Sequence, residues 1–118
     1  MKTKTIEFSY TLTRGPAGVP LVLVKTPDEP KPYPLDPGPS QTLYNHSPDG
    51  FEWGYAGSGP SQLALAILAD YLGHRDILPA LALNHYQEFK RRFIATAPKE
   101  GAVITSNEID NFIYHETH

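Results

Sequence analysis

The sequence predicts an α+β fold: an N-terminal β-hairpin or small antiparallel sheet followed by about three helices, the first of them central and buried. Three observations predict it. Residues 6–13 alternate apolar and polar side chains, the period of a strand with one buried face. Leu63–Ala69 carries no polar side chain over almost two helical turns, so a helix there must have neighbours on several sides. Thr105 and Glu108 form a Thr-x-x-Glu capping box at the head of a terminal helix.

In the first strand Ile6, Phe8, Tyr10 and Leu12 are the inward residues, and Glu7, Ser9, Thr11 and Thr13 face out. Arg14–Gly18 supplies a turn. Val19–Val24 is a second, more uniformly apolar strand, so residues 1–26 read as a hairpin. Pro20 cannot donate to a ladder and belongs at a strand start or on an edge. Residues 27–39 hold six of the 12 prolines. With so many fixed φ angles and missing donors, this segment is expected to be an extended, stiff connector, with a ligand for a proline-binding groove as the alternative.

Residues 40–118 complete a single domain on this reading, since 118 residues suit one core and are too few for two ordinary ones. Gln41–His46 is expected as a third strand, turned by Pro48-Asp49-Gly50. Phe51, Trp53 and Tyr55 share one face at strand spacing. Pro60 suits the first position of the central helix, with Gly59 as N-cap and Gln62 at N3 reaching back to the cap; Asp70 and Gly73 close it, the glycine in a left-handed conformation. Asp76 is expected to cap a second helix with Leu78, Leu81, Ala82, His85, Phe89 and Phe93 on one buried stripe, ended by Pro98. Ala102-Val103-Ile104 is a candidate edge strand. From about Ser106 a last helix should bury Ile109, Phe112 and Ile113, with Ile104 and Ile109 as its hydrophobic staple.

Composition narrows the chemistry. The chain has no cysteine, which excludes disulfides and thiolate metal sites. Its longest apolar run is far short of a membrane span. Met1–Thr5 is basic but without the hydrophobic region of a signal peptide, so the expected location is the cytoplasm. A formal charge of −3 gives no general reason to expect nucleic acid as partner.

Gly54, Gly57 and Gly59 precede the central helix, and two readings of them are open. They let the chain turn and pack tightly, or they bring backbone N–H groups to an anion at the helix N-terminus. On the second reading the ligand-binding candidates are Tyr55, Gly57, Ser58, Gly59, Ser61 and Gln62. Neither a P-loop nor a dinucleotide fingerprint is present. Ser58 lacks the Gly-x-Ser-x-Gly spacing of a nucleophile elbow, so no catalytic residue is assigned. His115 and His118 have a helical i, i+3 spacing but lie at the chain end, and no metal or cofactor is expected. His85 on the apolar stripe reads as a hydrogen-bonded core histidine. Lys90, Arg91 and Arg92 point about 100° apart on a helix and spread around it. Trp53, Tyr33, Lys90 and Arg91 are the candidates for contacts with a partner.

Residues Trp53–Leu68 resemble the hallmark of a small domain-of-unknown-function family found in bacteria, phages and plasmids, whose pattern is close to Gly-Tyr-Gly-Gly-Ser-Gly-Pro-Ala-Gln-Leu-Ala-Leu-Ala-Ile-Leu. Ala82–Lys90 is similar to that family's Tyr-Gln-x-Phe-Lys helix, and Ile104–Ile109 to its closing Thr-x-x-Glu-Ile pattern. Ala56 and Ser61 depart from the pattern by one small residue each. The resemblance spans about residues 51–113 and implies no activity; the family's presence on mobile elements implies an accessory or host-interaction role. The expectation is a non-enzymatic protein that binds a protein partner, with a phosphate-containing small molecule as the alternative ligand. A homodimer through the hairpin edge is a further candidate.

Overall fold

The alternating first strand has one buried face and is paired along both its edges. In the computed structural model, which describes residues 7–118, β1 (Ser9–Arg14) and β2 (Pro20–Lys25) form the predicted hairpin, Ser9 opposite Lys25 and Arg14 opposite Pro20. Ile6, the first residue of the alternating run, lies outside the described residues. Pro20 begins its strand, where a missing donor costs least. β3 (Tyr33–Pro34) and β4 (Ala102–Thr105) complete an antiparallel sheet in the order β3-β2-β1-β4. Both hairpin edges are therefore paired within the chain. Tyr10, Leu12, Val22, Val24 and Ile104 line the inner face at no more than 3% exposure.

The proline-rich segment supplies an element on each side of Asp36. Its two-residue strand β3 is an edge, the position that tolerates a proline. The strand expected over Gln41–His46 is instead the end of a short helix, α1 (Gly38–Leu43). Pro39 sits in its first turn, where no N–H is needed, and Asp36 Oδ1 accepts the Gly38 N–H at 2.9 Å. Proline here accompanies a helix start as well as an edge strand.

The central helix α2 (Ser58–His74) starts two residues earlier than Pro60 suggests, with Gly57 as N-cap and Pro60 in the third position. Every residue from Gly59 to Ala69 is buried, as the unbroken apolar run requires. Gly73 does not close it with a left-handed turn. That conformation falls on Asp76, at φ 58°, with Ile77 N–H donating to Leu72 O (2.9 Å) and Asp76 N–H to Gly73 O (3.1 Å), a Schellman pair. Asp76 is therefore a C-terminal cap, and the predicted second helix does not start from it.

That second helix is three pieces. Pro79–Asn84 is a 3₁₀ turn, His85 breaks it at φ −134°, α3 (Tyr86–Phe89) follows, and Lys90–Ile94 is π-helical, with Ala95 N–H donating to Lys90 O at 2.8 Å. The last helix, α4 (Ser106–Thr117), has both bonds of the predicted capping box, and Ile104 and Ile109 are buried. No helix among the described residues is long and apolar enough to cross a membrane.

Candidate binding surface

The aromatic-glycine stretch turns out to be held from within. The Trp53 indole is 1% exposed and its Nε1 donates to Lys99 O at 3.1 Å. The Arg14 guanidinium lies 4.3 Å above the Trp53 ring and makes a two-pronged pair with Glu52 (2.9 and 3.2 Å). This bonding holds the Glu52 carboxyl below its ordinary range. Gly59 is buried against Glu52: a Cβ there would stand 2.8 Å from Glu52 Cβ. At Gly57 a Cβ would meet the Tyr55 ring at 2.6 Å. These two glycines accommodate close neighbours at the head of α2.

The sequence candidates separate accordingly. Tyr55 and Ser58 are exposed, Gly57 is half-buried, and Gly59 and Ser61 are buried. Gln62 is 0% exposed and does not reach back to the cap. Its Oε1 accepts the His46 and Ser47 N–H groups (2.7 and 2.9 Å), and its Nε2 donates to Ser40 Oγ and Tyr44 O (2.9 and 3.1 Å). All four of its hydrogen-bonding positions are used to fasten the α1 region onto α2. Of the contact candidates, Trp53 is enclosed and offers no surface. Tyr33 is half-buried, its hydroxyl 3.3 Å from His74 Nε2; Lys90 is half-buried; Arg91 is exposed and paired with Glu88.

Two polar clusters lie on the flanks of α2. Tyr10, buried in the sheet, donates to Asp70 Oδ2 at 2.7 Å, and burial drives its hydroxyl pKa upward. Tyr71 donates to Asp110 Oδ1 at 2.7 Å beside Arg75, with its pKa pushed up to about 12 by burial first and by that bond second. His46, half-buried, stacks on Tyr44 at 4.2 Å and lies 2.6 Å from the Tyr86 hydroxyl; burial and the Lys90 charge lower its pKa. His85 is half-buried beside Glu116 at 3.3 Å. Among the described residues no three His, Asp or Glu side chains converge as metal ligands.

Part of the expected apolar stripe is instead an exposed aliphatic run. Ile77, Leu78, Leu81 and Leu83 are 41, 66, 45 and 37% exposed, whereas Ala82 between them is 1% exposed. The cause is the 3₁₀ geometry: with three residues per turn, Leu78 and Leu81 fall in line on the outer side, while Ala82 turns inward. Pro79 also lines a cleft of about 290 Å³ between α1 and α2, with Leu35, Leu43, Ala66 and Ala69 as apolar walls and Asp36 and Asp70 as its carboxylates. Pro79, six residues before the break at His85, is the signal in the sequence that the 3.6-residue period fails here.

A family model described as a family of unknown function, DUF6166, matches residues 13–115. The match takes in β2 and the proline-rich segment as well as the region around the central helix. No curated protein and no solved structure matches the chain.

Proposed function

We propose that this chain, which belongs to the family of unknown function DUF6166, is a non-enzymatic accessory protein that binds a protein partner through the aliphatic run Ile77–Leu83. The observation that supports this reading is the exposure of four large aliphatic side chains within seven residues, next to an apolar cleft. Burying such side chains against a partner removes apolar surface from water at roughly 25 cal/mol per Å². Asp36 and Asp70 at the cleft favour a cationic side chain near the contact.

The alternative ligand, a phosphate-containing small molecule at the head of α2, draws support from the exposure of Tyr55 and Ser58. Against it, Glu52 packs its Cβ and backbone N over Gly59, which leaves little room for an anion at that helix end.

The test is retention from extracts of the source cells on immobilised wild-type protein and on a Leu78→Glu, Leu81→Glu variant. The wild type is expected to retain a partner that the variant loses, with the variant's melting temperature unchanged. Equal retention by both, or none by either, defeats the reading. A thermal shift with phosphate or nucleotides that persists in the variant would favour the alternative.

A further inference from the structure

The cleft between α1 and α2, about 290 Å³, is at the bottom of the size range for small-molecule sites, so it suits one long side chain better than a nucleotide. Leu35, Leu43, Ala66, Ala69 and Pro79 make its walls apolar, and no lysine, arginine or histidine lines it. Its polar side chains accept and have no donor to offer. Ser40 Oγ already donates to Pro37 O (2.8 Å) and accepts from Gln62 Nε2 (2.9 Å). Asp36 Oδ1 accepts the Gly38 N–H (2.9 Å), and Asp70 Oδ2 accepts the Tyr10 hydroxyl (2.7 Å) with His74 Nε2 at 3.4 Å. Among the described residues Asp36 Oδ2 and Asp70 Oδ1 have no such partner. An anion would meet only carboxylates here, whereas a cation on an aliphatic stem matches both the walls and the charge.

We infer that the cleft takes a lysine side chain of the protein partner, its four-carbon stem along the apolar walls and its ammonium at the Asp36 and Asp70 carboxylates. The inference rests on the proposed partner binding through Ile77–Leu83 and names the residue that gives that contact its specificity. Pro79 joins the two surfaces: it is exposed, forms a wall of the cleft and lies between the exposed Leu78 and Leu81. A chain that covers those leucines therefore reaches the cleft. Lysine fits better than arginine, because a guanidinium fork pairs with both oxygens of one carboxylate and each aspartate here has one oxygen already bonded.

The probe is N-acetyl-lysine-N-methylamide, titrated at low salt to about 50 mM with amide shifts as the readout, since contacts this few give millimolar affinity. Saturable shifts are expected at Leu43, Ala66, Ala69 and Asp70. The norleucine analogue, which has an uncharged stem, should bind at least about threefold more weakly. Asp36→Asn keeps the Oδ1 acceptor for Gly38 and should weaken lysine binding about two- to fivefold. Gly73→Leu should abolish it by filling the cleft. Gly73 is an exposed lining residue, and a Cβ there meets Pro79 Cγ at 3.6 Å, an ordinary contact, so both variants should melt as the wild type does.

No saturable shift in the wild type, equal binding of the norleucine analogue, or a folded Gly73→Leu that binds undiminished overturns the inference. Tighter binding of the arginine analogue, or binding of cadaverine about tenfold tighter than the lysine probe, overturns it in favour of a guanidinium or a free diamine. The Leu78→Glu, Leu81→Glu variant leaves the cleft lining intact and should bind the probe. Lysine binding without any partner retained from extracts therefore defeats the role of the leucines and keeps the cleft's preference. Partner retention without lysine binding defeats only the cleft assignment.

Discussion

Gln62 shows how one side chain can decide a local structure that its sequence position does not announce. A glutamine three residues into a helix suggests a cap, yet this one is fully buried and satisfies two N–H donors, a carbonyl and a hydroxyl on the α1 side. Replacing it with leucine leaves several of those groups unpaired, at about 1–3 kcal/mol each before relaxation, so Gln62→Leu should lose about 3–4 kcal/mol in urea unfolding. Glu52 offers a pH reading of its own. Its pKa is depressed below the ordinary 4.5 by Arg14, so its contribution is present above that value and disappears as pH falls through the lower folded-state value. Glu52→Gln should therefore flatten the acid limb of the stability profile and leave the neutral limb's slope unchanged. His46 is shifted downward as well, by burial and Lys90, and its imidazole should titrate below 6.5 in an NMR titration. The neutral ring keeps Nε2 able to accept the Tyr86 hydroxyl, and protonation removes that acceptor.

At the scale of elements, local grammar was readable wherever bonds close within a few residues. The α4 capping box and its isoleucine pair needed only Ile104–Ile109 to be recognised, and the hairpin needed only its alternation and turn. The α2 C-terminus was misread because glycine and aspartate both suit more than one terminal role. Asp76 takes the left-handed position at φ 58°, which glycine adopts without a Cβ penalty. Asp76→Gly is expected to raise stability by about 0.5–1 kcal/mol, checked by thermal unfolding. The opposite case is Gly101, at φ 141°, where a Cβ would run into the Leu12 carbonyl. Gly101→Ala should cost about 3 kcal/mol or more, by forcing β4 off β1. The helix expected from Asp76 onwards failed for a different reason: a 3.6-residue stripe can be counted in the letters, but the 3₁₀ and π segments that replace it follow from how Ala82, Tyr86, Phe89 and Ile94 are drawn into the core.

For the whole molecule, α2 is the axis: sheet, α1, the 3₁₀ segment and α3 all meet it, and its residues Leu63–Leu68 are at most 3% exposed. Their amides should be the slowest to exchange with solvent, opening only with global unfolding, while those near His118 exchange first. Exchange of Leu63–Leu68 through smaller openings would show that α2 is not the last element to unfold. At the head of α2 the side chains of Tyr55 and Glu52 fill the spaces over Gly57 and Gly59.

By itself the sequence determined the α+β class, the hairpin, the buried central helix and the capped terminal helix, because each rests on periodicity or on hydrogen bonds between residues a few positions apart. The tertiary structure alone decided that Trp53 is enclosed under Arg14, that Gln62 fastens the α1 region, and that Leu78 and Leu81 face outward. Those outcomes depend on which residues distant in the chain come to share one space, and a local pattern carries no record of its distant neighbours.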